Sequence, residues 1–240
     1  MRKMNKLIID NSVNIEEIIV DSDMDITISF NDCKRNLNIQ VMPGVCLKIF
    51  DISNNTNNSI VYNIAESCSV VINKLSINCS DTVDVNLNDM NSNIKFYSSI
   101  INYEDNEYKQ NINHNDKDSI SKIINHCINV YDNKFKFIVN GTIKKDSINS
   151  SFKQDNKIIN INNGKSFILP NLIVDNNDID ASHSAYIGTF DEDLIFYMMT
   201  RGLSLKECNS LLIKSFLLGS MDLDDRQRDI LNSIIEKVNM

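Results

Sequence analysis

The chain has 240 residues, 24 Lys and Arg against 32 Asp and Glu, and a net charge of −8. That length accommodates one large domain, or one domain with a small appendage. With 42% hydrophobic and 23% charged residues a core is expected, and the acidic balance makes nucleic acid a poor first candidate as partner, because counterion release requires clustered Lys and Arg.

The chain opens on basic residues, but its first apolar stretch, Leu7 to Ile9, meets Asp10 after three residues. A signal peptide needs an apolar region of about 7–15 residues and a membrane helix about 20, so a soluble, cytoplasmic protein is expected. From about residue 18 to 175 the texture alternates with period two, as half-buried strands do. Ile26-Thr27-Ile28-Ser29-Phe30, Leu37-Asn38-Ile39-Gln40-Val41, Val45-Cys46-Leu47-Lys48-Ile49, Val83-Asp84-Val85-Asn86-Leu87 and Phe135-Lys136-Phe137-Ile138-Val139 all follow it. Asn, Asp, Ser and Gly punctuate the runs, as in Ser53 to Asn58; these residues tolerate left-handed backbone and hydrogen-bond their own turns. Ser119 to Asn129 is ambiguous between helix and strand. Asn140-Gly141 reads as a standard two-residue hairpin pair, and such signals are scarce in this region.

Many short, evenly spaced strands suit a sandwich, a barrel or a solenoid. Scarce hairpin signals and dense Asn at the breaks favour a parallel β-helix, whose stacked coils accept Asn ladders at their corners. No fixed-period repeat is evident, and pattern alone leaves solenoid and sandwich in contention.

After residue 189 the texture turns helical. Thr189 is placed to cap a helix whose first turn holds Asp191, Glu192 and Asp193, where the helix dipole favours carboxylates. That helix, Leu194 to Met199, is expected to stop at a left-handed Gly202. Ser204-Leu205-Lys206-Glu207 reads as a capping box. It opens a second helix with Leu205, Cys208, Leu211, Leu212, Ser215 and Phe216 on its apolar face, ended by Gly219. Asp222 is placed to cap a third, with Ile230, Ile234 and Ile235 on one side. The division is a β body over 1–188 and a helical tail over 189–240, whose apolar excess suits packing on the β body or docking of another protein.

Chemistry is sparse. No phosphate loop, GxGxxG, HExxH or GxSxG occurs. The six Cys form no CxxC pair and are expected to be buried small residues. His114 and His126, in polar text, are expected on the surface or in turns. Asp178 and Asp180 share a strand face, a weak signal for glycosidase chemistry. His183, flanked by Ser182 and Ser184 where the β body hands over to the helices, is a competent neutral ligand for iron or zinc.

Several segments together resemble the SufB/SufD family: Pro170-Asn171-Leu172, Ala181-Ser182-His183, Gly188-Thr189-Phe190-Asp191-Glu192 through Phe196-Tyr197, Arg201-Gly202-Leu203, Glu207, and Leu211 to Phe216. The resemblance is ordered and gap-free over this C-terminal region. Upstream, weaker agreement runs back to His114, through Phe137, Gly141 and Ile143. It implies a mainly β fold, a right-handed parallel β-helix with a short C-terminal helical domain. It implies a non-catalytic subunit of iron–sulfur cluster assembly with two partners: a SufC-type ABC ATPase, and a second SufB/SufD-type subunit in a homodimer or heterodimer. His183 matches the family's junction histidine, a contact for a transient iron–sulfur cluster or its metal. Asp191, Glu192, Phe196, Tyr197, Arg201, Gly202, Leu212 and Phe216 fall on the segment implied to meet the ATPase. Ala181 stands where many members carry Cys before Ser-His, and Gly164-Lys165 occupies the region of the B-type cysteine, so the chain looks more SufD-like than SufB-like. The alternatives are a polysaccharide-acting solenoid using Asp178 and Asp180, and a structural solenoid without metal.

Overall fold

The computed structural model describes residues 4–237. Fifteen strands wind into a parallel solenoid with two strands per coil, so the two sheets face each other across a shared interior. The first sheet stacks β1 (Asn5–Asp10), β3 (Met24–Asn31), β5 (Cys46–Asn54), β7 (Ser69–Ile77), β9 (Asn93–Asn102), β11 (Ile120–Val130), β13 (Ser150–Ile161) and β15 (Ile179–Gly188). The second stacks β2 (Glu17–Val20), β4 (Asn36–Val41), β6 (Ser59–Ile64), β8 (Thr82–Leu87), β10 (Asn106–His114), β12 (Lys134–Ile143) and β14 (Lys165–Val174). Every pairing is parallel, which settles the choice between sandwich and solenoid.

The alternation seen in the sequence fills the interior. Ile26, Ile49, Ile72 and Phe96 stack in register from the first sheet, and Ile39, Tyr62, Val85 and Ile112 from the second, all buried. Each such side chain stabilises the fold by about 1.5–3 kcal/mol relative to exposure. Asn140-Gly141 makes no hairpin. It lies inside β12, where Gly141 is required because the Phe152 ring crosses the interior and would sit 2.5 Å from a Cβ there. Ser119 to Asn129 belongs largely to strand β11.

Asparagine does more than punctuate. At one corner Asp32, Asn55 and Asn78 adopt left-handed backbone. Asn55 donates to Asp32, Asn78 to Asn55 and Asn106 to Asn78, a ladder closed by a carboxylate. On the outer face of the second sheet Asn113, Asn86, Asn63 and Asn38 donate in turn towards Glu17, and Asn171, Asn140 and Asn111 towards Asp84.

Three helices follow: α1 (Glu192–Thr200), α2 (Leu205–Leu218) and α3 (Asp225–Lys237). The first packs on α2, and the second and third fold back along the outer face of the first sheet. There Phe50, Leu75, Ile77, Tyr97, Ile101, Ile128 and Val130 join Ile213, Leu217, Leu218, Leu231 and Ile235 in a second core. The caps differ from expectation. Asp191, not Thr189, accepts from the Asp193 and Leu194 amides, because the helix begins at Glu192 and Asp191 directly precedes it. Asp224, not Asp222, accepts from the Gln227 amide at 2.7 Å, while the Asp222 backbone is held by Asn73. The Ser204–Glu207 capping box forms as expected, and Gly202 takes φ +97°. On α2 the buried residues are Cys208, Ile213, Leu217 and Leu218, while Leu205 and Leu211 are exposed.

Candidate functional site

The C-terminal end of the rod is open. β14 and β15 are the last strands of their sheets, so each carries an edge without a further strand. Register fixes what faces the interior there. Phe152, Gln154, Asn156 and Ile158 of β13 point inward, and their partners Ala181, His183, Ala185 and Ile187 of β15 continue those rows. His183 is therefore at the mouth of the interior, exposed, between two alanines too small to screen it. Across from it β14 contributes Ile168 and Leu172, half-buried against the core. No carboxylate or thiol shares the inward row with His183 on β15. Among the described residues no group of three His, Cys, Asp or Glu side chains stands close enough to hold a metal ion.

The thiols lie elsewhere. Cys127 is fully buried on β11, where burial pushes its thiol well above the usual range. Cys79 is pushed up to about 11, first by burial and then by the Asp81 carboxylate. Cys68 and Cys208 are also buried, Cys33 is half-buried and Cys46 exposed. Raised thiols are poor nucleophiles and poor metal ligands at neutral pH, because the thiolate does both jobs.

Behind the mouth runs a polar seam that the sequence reading missed. Asp51, Lys74, Ser98, Asn125 and Asn156 occupy one inward row in register, each almost fully buried, and Ala185 ends the row beside His183. Lys74 Nζ lies 2.8 Å from Asp51 and 3.3 Å from Asp81. Burial alone would push its ammonium down, but the two carboxylates carry it well above the ordinary value. Asp51 is raised, with desolvation outweighing the Lys74 charge. Further along, Gln110 of the second sheet accepts from Asn125, which also donates to Asn156.

His114 and His126 correct their expectation of a surface or turn position. His114 is fully buried on β10, hydrogen-bonded to Ser121 at 2.7 Å, and burial drives its pKa down to about 4. His126 lies half-buried under α2. Its ring stacks on Phe216 at 4.4 Å and 11°, and its Nδ1 meets the Phe216 carbonyl.

The expected partner-facing residues divide into two groups. α1 has no buried residue; Leu194, Phe196, Tyr197 and Met199 are 43%, 70%, 54% and 44% exposed. Arg201 lies over the Tyr197 ring at 5.1 Å and donates to its hydroxyl, so these two form one surface feature. Asp191 and Glu192 are exposed at the start of α1, and Gly202 at its end. Leu212 and Phe216 are half-buried instead, and Phe216 is engaged by His126 and, edge-on, by Phe190. Asp180 is held by Lys153 at 2.9 Å on the exposed surface. No described helix is long and apolar enough to cross a membrane.

A protein-family profile described as the SUF system FeS cluster assembly, SufBD core domain, matches residues 52–216. The chain is also similar to the iron-sulfur cluster assembly protein SufD of Bacillus subtilis (strain 168), at 24% identity over 102 residues. That match spans 41% of this chain and 23% of the relative's length.

Proposed function

The chain belongs to the SufBD core domain family of the SUF iron–sulfur cluster assembly system, and on that premise we propose that it is a non-catalytic, SufD-like subunit that docks an ABC-type ATPase. The observation that carries the docking is α1. Four large apolar side chains in one short helix stay in water and none of its residues is buried, while α2 and α3 bury Ile213, Leu217, Leu218, Leu231 and Ile235 against the rod. A surface of that kind is stable only as an interface in waiting. Phe196, Tyr197 and Arg201 form its centre, an aromatic and guanidinium group of the sort that dominates binding energy.

The open end takes the second subunit, in this reading, with the nascent cluster as cargo between the two. His183 offers one imidazole side chain to it, a ligand type that iron accepts. Soft thiolate ligands must then come from the other subunit, since this chain's buried thiols are raised and its inward row at the mouth has none. A paralogue carrying a cysteine at its own open end fits that requirement better than a second copy, whose one exposed thiol, Cys46, lies on β5, away from the mouth.

The test is co-expression of the chain with an ABC-type SUF ATPase, followed by size-exclusion chromatography. Co-elution that is lost in Phe196→Ala and Arg201→Ala, with the unfolding midpoint of each variant unchanged, is the expected result. Separate elution of the native pair would overturn the docking assignment. A polysaccharide reading through Asp178 and Asp180 gains no support from the geometry, because Asp180 is exposed and ion-paired rather than held dry as a general acid.

A further inference from the structure

We propose that Asn163 is a deamidation site built into the turn between β13 and β14. Two Asn-Gly pairs occur in the chain, Asn140-Gly141 and Asn163-Gly164, and their surroundings are opposite. Asn140 lies inside β12. Its amide donates to Asn111 Oδ1 and its oxygen accepts from Asn171 Nδ2, so both ends of the side chain are held in the ladder. Asn163 is exposed, in a left-handed turn with φ +66°, and its amide makes no hydrogen bond among the described residues. The Gly164 amide is restrained by one long bond to the Ile161 carbonyl, at 3.3 Å.

The chemistry follows from those restraints. The Gly164 nitrogen attacks Asn163 Cγ, and no Cβ on the glycine obstructs the approach. A C–N bond forms, the Cγ–Nδ2 bond breaks, and ammonia leaves with the proton of the Gly164 amide. One water then opens the cyclic imide, giving aspartate or, through the other carbonyl, isoaspartate. Attack requires the side chain to rotate freely, so the ladder that holds Asn140 suppresses the same reaction there. The product places a new negative charge two residues from Lys165, whose ammonium pairs with Asp132 at 2.7 Å. The isoaspartyl form lengthens the main chain by one carbon where it enters β14, one of the two strands of the open end.

The experiment is incubation of the folded full-length chain at mildly alkaline pH, with peptide mapping by mass spectrometry over time. Amide-to-acid conversion is expected at Asn163 at least roughly tenfold faster than at Asn140, a barrier difference of about 1.4 kcal/mol or more. In concentrated guanidinium chloride the two rates should converge, because only folding distinguishes them. Asn163→Gln should remove the fast-reacting peptide and leave Asn140 unchanged. Equal rates in the folded chain, or a faster Asn140, would overturn the proposal.

Discussion

Lys74 holds an ammonium where no water reaches, and its two acids make that tolerable: Asp51 and Asp81 approach it, and Ser53 and Thr56 satisfy their remaining oxygens. Removing one partner of a buried ion cluster costs more than the cluster contributes, because it strands the opposite charge. Lys74→Met is therefore expected to destabilise the chain by ~3–5 kcal/mol in urea unfolding, whereas replacing all three charges by apolar residues of similar volume should cost far less. The ammonium is carried above its ordinary value, so its contribution is complete below the unfolded value near 10.5 and fades only as pH rises beyond it. His114 has the opposite sign. Its folded pKa lies near 4 against 6.5 when unfolded, so the unfolded chain binds the extra proton between those values. Stability should then fall as pH drops from about 6.5 to about 4, by up to ~3 kcal/mol, and His114→Leu should flatten that part of the profile. The sequence held a signal for this burial. Tyr108, Gln110, Ile112 and His114 keep one phase of the alternation, and all four are buried. Asn-rich flanks conceal it, because Asn ordinarily marks turns and here also builds ladders on strands.

The tail is attached to the rod by polar keys set in an apolar face. Asn73 both donates to the Asp222 carbonyl and accepts from its amide, and Ser99 donates to the Leu217 carbonyl at 2.6 Å. Ser99 and His126 thereby satisfy the Leu217 and Phe216 carbonyls that the end of α2 leaves open, while Asn73 holds the segment just beyond it. Ser99→Ala strands a buried carbonyl and Asn73→Ala strands two backbone groups. Losses of roughly 1–3 kcal/mol each are expected in denaturant unfolding, with a non-additive double variant because both hold one segment. Helix existence, the Gly202 stop and the Ser204 capping box were legible because each rests on a local motif. The N-caps of α1 and α3 were displaced by two residues because several acids compete at each site, and tertiary contacts choose among them. Asn73 claims the Asp222 backbone, leaving Asp224 to cap. The strand assignment of β11 was hidden by its own burial. From Cys127 to Val130 both faces are covered, one by the interior and one by the tail, so alternation disappears just where a second core begins.

At the scale of the whole molecule the missing repeat has a geometric cause. Asn5 pairs with Met24, Met24 with Leu47, Asn93 with Ile120 and Ile120 with Ser151. The coil lengthens along the rod, so strands of the same sheet grow from six residues in β1 to twelve in β13. A drifting period leaves no fixed self-similarity to detect, although each coil obeys the same inward alternation. The widening rod ends in two ten-residue edge strands whose inward rows are half-exposed, with Phe167, Leu169, Ile173 and Tyr186 also reaching water on the outer faces. Long, apolar edges are a pairing hazard unless a partner covers them. Ala185 tests whether the open end is that interface. Its side chain is exposed in this chain and carries none of the fold, so Ala185→Glu should change the unfolding free energy by less than about 0.5 kcal/mol. Within the proposed pairing it lies beside His183 at the centre of the contact, where a carboxylate without a partner costs several kcal/mol. Light scattering of the variant mixed with the proposed SufB-type partner is expected to give two separate species where the native mixture gives one complex. A complex of undiminished stability in Ala185→Glu would move the pairing surface away from β15 and leave His183 without its proposed cargo.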